Sequence, residues 1–492
     1  MTYFIGGDLG TSALKLLLID ENGEIIKETV REYAVSYPKP SWSEQHPDEW
    51  YNAFLEAVNE LLSEVDPKNV RAIGFGGQMH GLVALDKDDR VIRSAILWND
   101  GRTDKENSFL NEVVGKEKLI KHTANISFAG FTAPKILWLK NNEPENFNKI
   151  QKIMLPKDYI NFKLTGVFAT DYSDASGTLL LDVENKRWSN EMLKICGVTE
   201  SQMPKLFESF EVIGTLTQDV ASKTGLPKET VVVAGAGDNA AAAIGTNTIS
   251  NGRCNISLGT SGTVFVSSNS FSPSSNAALH SFCHASGGFH LMACILSAAS
   301  CNKWFCGEIL KTTDYNSEQL KIDEANLGKN NVFFLPYLMG ERSPINNTDA
   351  TGLFVGMRMN TKREDMLLAV LEGVAFAIRD NLEIAKESGI KIECATLCGG
   401  GAKSKLWQKI LANVLNIKII LPQTEQGPGY GAAMLAMVGC GKFENIFDCG
   451  EKFFKEKAVI LPDGETVKRY NAQYEKFRKI YPAVENLYKE IK

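Results

Sequence analysis

A chain of 492 residues exceeds the usual span of one hydrophobic core, so two large lobes are expected. With 44% hydrophobic and 23% charged residues it has the make-up of a soluble globular protein; its net charge of −6 argues against nucleic acid as the main partner, since that affinity comes largely from Lys and Arg on phosphates. No apolar run approaches the ~20 residues of a membrane span, and the opening MTYFIGGD has no basic segment of a signal peptide, so neither membrane nor export is expected. Ten cysteines without a CxxC pair read as reduced, mostly buried thiols of a cytoplasmic protein.

Residues 3–7 read as a strand ending in Asp8-Leu9-Gly10-Thr11-Ser12, and 14–20 as the strand that returns. The turn signal Glu21-Asn22-Gly23 leads to a third strand at 24–27. A strand, a DxGT turn and a returning strand make a hairpin that can face phosphate. Gly10 permits close approach, Thr11 and Ser12 offer hydroxyls and backbone N–H groups, and Asp8 can hold a hydrated Mg²⁺. A plain acidic turn looks the same. Residues 71–75 form a strand running into Gly76-Gly77-Gln78-Met79-His80-Gly81. A single histidine is more often a structural hydrogen-bonding residue than a catalyst. Gln78 and His80 flanking Met79 in a glycine-bounded loop nevertheless suit polar contacts to a sugar with one apolar contact. Residues 95–98 form a short strand followed by Asn99, Asp100 and Arg102, and Trp98 reads either as core or as the wall of a sugar site. In 130–142, Pro134 sits well early in a helix whose apolar face is Ile136, Leu137 and Leu139. Residues 155–159 and 171–177 read as polar punctuation around a short segment at 160–164. Asp171 and Asp174 read more readily as turn chemistry than as a metal pair.

The stretch 231–245, VVVAGAGDNAAAAIG, organises the rest. A buried strand at 231–233 is followed by Gly235 and Gly237, which let the backbone bend and come close to something else. Asp238 and Asn239 come next, and Ala240 to Ala243 begin a helix. An acid there lies at the sheet edge where open α/β folds bind ligands, which suits a general base. Position alone equally allows a helix N-cap aspartate. The stretch also matches a GxGxxA dinucleotide fingerprint. Asp238 falls in the turn that should wrap a pyrophosphate, however, and no acid is clearly placed ~20 residues on, so a Rossmann oxidoreductase is disfavoured. Next, 254–258 and 263–266 are strands around Gly259-Thr260-Ser261-Gly262. Leu9-Gly10-Thr11-Ser12 and Leu258-Gly259-Thr260-Ser261 are the same four letters in the same context, which points to a duplicated fold with domains at 1–246 and 247–492. Thr361 with Glu364 forms a capping box opening a long helix. A strand at 395–397 precedes Gly399-Gly400-Gly401-Ala402, where three glycines leave room for a flat group or a phosphate. Gly427 to Gly431, GPGYG, opens a small-residue helix, and the tail from about residue 467 reads as a surface helix.

The motifs DLGTS, WSEQHP, GQMHG, ILWNDGR, GFTAPKILW, LPKDY, GDNAA, SLGTSG, FLPYLMGER and GGGAKS follow one another in an order that resembles the FGGY carbohydrate kinase family across nearly the whole chain. The resemblance implies a duplicated two-lobed α/β fold of the actin-like ATPase (ribonuclease H-like) type, with ligands in a cleft between the lobes. It implies ATP and Mg²⁺ and phosphorylation of a sugar hydroxyl. D-xylulose, giving D-xylulose 5-phosphate, is the expected acceptor, and another pentulose or polyol is the alternative. On these positions Asp238 would accept the hydroxyl proton, and Asp8 would place Mg²⁺ and the transferring phosphoryl group. Met79 and His80 would contact the ketose, with Gln78, Trp98, Asn99 and Asn239 as further sugar contacts. Thr11, Ser12 and Thr260 would face the phosphates, and Gly400, Gly401 and Ala402 the adenosine. The family also suggests a homodimer.

Overall fold

The computed structural model describes residues 1–423 and 427–491. The chain forms two compact units. The first comprises Met1–Ile249, Ser281–Phe289 and Gln426–Phe454, and the second comprises Ser250–His280, His290–Glu425 and Lys455–Lys492. The division near residue 246 expected from sequence thus falls close to the first crossing point, and the chain then re-enters the first unit twice.

The first unit is built on a mixed sheet of β1 (Tyr3–Leu9), β2 (Ala13–Asp20), β3 (Ile25–Glu32), β4 (Val70–Gly77), β5 (Val212–Thr215) and β6 (Val231–Val233), in the order β5-β6-β4-β1-β2-β3. The two-residue strand β7 (Ala236–Gly237) also pairs with β4. Parallel pairing joins β1 to β4 and β4 to β6. Antiparallel pairing joins β1 to β2, β2 to β3 and β5 to β6. Near-continuous apolar runs such as Leu16 to Ile19 are buried on both faces, as a covered sheet requires.

The second unit is built on β8 (Arg253–Leu258), β9 (Gly262–Ser268), β10 (Phe289–Ile295), β11 (Cys394–Cys398), β12 (Lys418–Pro422) and β13 (Glu456–Ile460), in the order β13-β12-β11-β8-β9-β10. Here β8 runs antiparallel to β9 and parallel to β11, β11 runs parallel to β12, and β12 antiparallel to β13. Across these six strands this is the order of the first sheet, with β8 and β9 standing for β1 and β2. The repeated Leu-Gly-Thr-Ser therefore marks the same hairpin turn in two copies of one fold.

Six helices matter for the site: α1 (Thr132–Asn142), α2 (Pro156–Thr165), α3 (Asp238–Gly245), α4 (Arg363–Glu387), α5 (Lys405–Leu415) and α6 (Pro428–Gly439). Helix α2 corrects the reading of 155–164 as punctuation plus a short segment. Pro156 starts it, and Asp158 Oδ2 accepts from the Leu155 N–H at 3.1 Å, closing its first turn. The cap of α4 lies one residue later than expected. Asp365 Oδ2 accepts from the Lys362 N–H at 2.9 Å, while Thr361 Oγ1 accepts from the Arg358 N–H of the preceding turn at 2.8 Å. The tail is two helices, Gly464–Phe477 and Ile480–Glu490, and the first buries Tyr470 and Phe477 in the core. Helix α6 lies in the first unit against β1, β4 and α3. Its small residues allow near backbone contact: a Cβ on Gly431 would stand 1.8 Å from the Ala241 carbonyl oxygen. None of the ten cysteines is in a disulfide among the described residues. Among the described residues no helix is long and apolar enough to cross a membrane.

Candidate active site

Three strand ends meet at one edge of the first sheet. Asp8 of β1 and Ala236 of β7 are both in register with Gly76 of β4, on opposite sides of it. Asp8 and Asp238 therefore lie near the same carboxyl edge, where open α/β sheets bind ligands. The chain leaving β4 there is Gln78-Met79-His80. The backbones of Gly177 and Gly237 close on Met79: a Cβ on Gly237 would stand 2.9 Å from its sulfur, and one on Gly177 2.8 Å from its terminal methyl. The loop read as sugar-binding is thus packed against the residue preceding Asp238.

Asp238 is the first residue of α3, and the N-cap position belongs to Gly237. Its Oδ1 accepts from the Asn239 N–H at 2.8 Å and from Asn239 Nδ2 at 2.9 Å. Burial pushes the Asp238 carboxyl up to about 6, against the lowering effect of those two hydrogen bonds. Asp8 is pushed up to about 7 by burial and then by the Asp238 charge, with Lys15 drawing it down. A buried carboxylate whose charge raises the cost of ionising a second acid at the same sheet edge forms a site poised for a proton or a cation.

His80 has φ of 70° and stacks on Phe131 with ring centroids 4.7 Å apart. Its Nδ1 is 2.6 Å from the Gly177 carbonyl oxygen, so Nδ1 carries the hydrogen and, in the neutral ring, Nε2 is the acceptor. The His80 carbonyl accepts from Thr132 Oγ1 at 3.1 Å and from Lys135 Nζ at 2.9 Å, and Lys135 also donates to the Gly130 carbonyl at 2.6 Å. Lys135 is wholly buried on α1, and burial pushes its ammonium down to about 7. Trp98 is 43% exposed, which rules out the core reading. Its Nε1 donates to Thr11 Oγ1 at 2.9 Å, and Thr11 Oγ1 is 3.3 Å from Gln78 Oε1. Thr11, Gln78 and Trp98 therefore form one wall, with Asn99 and Ser12 exposed beside it.

The second unit contains a pocket of about 690 Å³ at the matching sheet edge. Thr260, Gly400 and Gly401 line it, as do Lys303, Tyr315 and Gln319, which sequence reasoning missed. The Thr260 carbonyl is fixed by the Ala298 N–H at 3.0 Å and by Ser300 Oγ at 2.7 Å. Gly399 has φ of 88°, and a Cβ there would stand 2.7 Å from the Leu258 carbonyl oxygen; Gly400 faces open space. Ala402 is buried behind this loop, its carbonyl accepting from Gln408 Nε2 at 2.7 Å.

A duplicated mixed-sheet fold, with a carboxylate pair beside a polar loop in one unit and a glycine-walled pocket in the other, has the parts of a kinase for small hydroxylated substrates. The N-terminal domain of the FGGY family of carbohydrate kinases matches residues 3–245 and its C-terminal domain residues 254–440. The chain belongs to this family and is a carbohydrate kinase. It is 38% identical over 495 residues to the xylulose kinase of Bacillus subtilis (strain 168), covering 100% of this chain and 99% of that one. A crystal structure described as a xyloylose kinase from Brucella ovis superposes with a TM-score of 0.93 at 40% identity, covering 99% and 100% of the two chains. The gluconate kinase of Lactobacillus acidophilus superposes with a TM-score of 0.94 at 26% identity, covering 100% of both.

Proposed function

We propose that this chain transfers the γ-phosphoryl group of ATP to D-xylulose, giving D-xylulose 5-phosphate and ADP. The full-length identity to a xylulose kinase supports the ketopentose, whereas the fold alone is shared with a gluconate kinase. In this reading Asp238 is the general base. It takes the proton of the acceptor hydroxyl as the O–P bond forms, and a carboxyl pushed up to about 6 is suited to that exchange near neutrality. Met79 and the His80 loop orient the ketose, with Gln78, Trp98, Asn99 and Asn239 as polar and stacking contacts. Thr11, Ser12 and Thr260 serve the phosphates, and Gly400 to Ala402 the adenosine.

Asp8 is the residue that would hold Mg²⁺. Mg²⁺ commonly takes one or two carboxylates and fills its shell with phosphate oxygens and water, and a hard-oxygen ligand beside a second acid fits that share. When bound with ATP, the ion supplies charge neutralisation on the phosphates. A cytoplasmic location and a homodimer belong to the same reading and rest on the family resemblance; light scattering checks the second.

The observation that carries the proposal is the convergence of Asp8, Asp238 and the Met79 loop on one sheet edge. A coupled ADP-release screen over xylulose, ribulose, xylitol, glycerol and gluconate tests it. D-xylulose should give the highest kcat/KM, and Asp238→Ala should abolish turnover while ATP binding is retained. Equal turnover in that variant removes the base assignment, and a different preferred sugar removes the substrate.

A further inference from the structure

Beneath the Asp238 turn lies a wholly buried ion cluster. Lys157 of α2 is 0% exposed, and its Nζ is 2.8 Å from Asp158 Oδ1, 3.2 Å from Asp171 Oδ1 and 3.8 Å from Asp174 Oδ2. Each of the three carboxylates is at most 1% exposed. Buried ions cost several kcal/mol each unless they are paired and hydrogen-bonded, so a four-ion cluster is a poor source of stability. Its hydrogen bonds lead to the backbone that precedes Asp238. Lys157 Nζ and Asn161 Nδ2 both donate to the Ala234 carbonyl, each at 3.0 Å. The Gly235 N–H donates to the Ser209 carbonyl at 2.9 Å, and Ser209 Oγ donates to Asp171 Oδ2 at 2.8 Å. The Gly237 N–H donates to Ser173 Oγ at 3.1 Å, and Ser173 Oγ donates to Asp171 Oδ2 at 2.5 Å. Polar groups of Ala234, Gly235 and Gly237 are thus all tied into one cluster centred on Lys157 and Asp171.

We infer that Lys157, Asp171 and Ser173 are positioning residues for phosphoryl transfer: they clamp the 234–237 turn and so fix where the Asp238 carboxylate stands. The inference rests on the proposed role of Asp238 as base and adds a device that acts through it. The requirement is strict, because proton transfer in the transition state needs a heavy-atom distance of about 2.6–3.2 Å, and a 1 Å misplacement costs ~10²-fold in rate. The electrostatics agree. Burial opposes the Lys157 charge, and the carboxylates of Asp158, Asp171 and Asp174 overcome it, holding the ammonium above its usual range. Asp174 is held well above the usual carboxylate range by burial, although Lys157 draws it down; Asp158, Asp171 and Asp238 add to the rise.

Ser173→Ala tests this with the ion cluster intact, because it removes only the acceptor for the Gly237 N–H and one donor to Asp171. The full chain is assayed with D-xylulose and MgATP. We expect kcat to fall 10- to 100-fold, KM for the sugar to change less than threefold, and the acid limb of the kcat profile to move to lower pH as the freed carboxylate gains water. Hydrogen exchange supplies a readout independent of turnover: a peptide containing 234–239 should exchange at least tenfold faster in Ser173→Ala. Lys157→Met should lower kcat at least as far, and if it fails to fold, Ser173→Ala decides alone. A Ser173→Ala chain with unchanged exchange, or with kcat reduced only in proportion to its folded fraction, overturns the inference. A wild type that phosphorylates no sugar in the screen overturns the kinase reading instead, and exchange still decides whether the clamp exists.

Discussion

Asp8 and Asp238 hold protons in the native state that the unfolded chain releases, because their carboxyls stand at about 7 and about 6 against an ordinary 3.8. Activity that needs an ionised base should therefore fall below neutrality, with the acid limb of kcat/KM between about 6 and about 7 rather than near 4. A pH–rate profile from 4.5 to 9 checks this. Stability runs the other way. A carboxyl raised on folding costs nothing below its unfolded value, and its cost grows as pH rises to the folded value. Asp8→Asn should then stabilise the ligand-free protein by about 1–2 kcal/mol at pH 8, with the gain vanishing near pH 4, while activity is lost. Thermal melts of both proteins across that range test the sign. These two acids were legible in the sequence because each stands beside glycines at the end of a short apolar run. Lys157, Lys135 and Ser173 were not. A lysine is read as surface by default, and Lys157 reaches a carbonyl 77 positions away while Ser173 meets an N–H 64 positions away. Asp171 and Asp174 were seen as turn residues, and Asp171 does accept from the Ser173 N–H at 2.8 Å, but their shared lysine was out of view.

At the scale of elements, α1 carries the Gln78-Met79-His80 loop through one side chain. Lys135 reaches from its first turn to the carbonyls of His80 and Gly130. Lys135→Met keeps the length and the packing and drops both hydrogen bonds, leaving the Gly130 carbonyl short of a donor at about 1–3 kcal/mol and the His80 carbonyl held by Thr132 Oγ1. On the role proposed for this loop, orienting the ketose without proton transfer, we expect KM for the sugar to rise at least fivefold with kcat falling less. Steady-state kinetics on a variant with a native circular dichroism spectrum test it, and a pure kcat defect contradicts it. The start of α1 was legible from Pro134 and its apolar spacing; its lysine was not, since nothing local distinguishes a buried Lys in an amphipathic run. Helix α4 was found one residue early, because Thr361 and Glu364 have capping-box spacing and Lys362 with Asp365 makes the actual cap.

For the whole molecule, the duplicated sheet was visible in four repeated letters, since a tight strand-turn-strand hairpin restricts its turn residues strongly. The path of the chain was not visible, because membership of a unit is decided by long-range packing. Helix α6 belongs to the first unit although it follows most of the second. It covers Phe4, Leu17, Ala72, Val233, Ala241 and Ile244 with Ala433, Met434 and Met437. A fragment ending at Ile249 should therefore show no cooperative melt by circular dichroism, and a chain in which a linker joins Ile249 directly to residues 427–454 should recover one.

This threading also bears on how the chain is made. The ribosome releases residue 249 about 180 residues before it reaches Pro428, a wait of about 10–40 s at ordinary elongation rates. Throughout that interval the apolar side of the first sheet has no lid of its own. Folding in order of synthesis is thus unavailable to the segment before Ile249, which must be shielded by holdase chaperones or stay loosely collapsed until Pro428–Gly439 has been made.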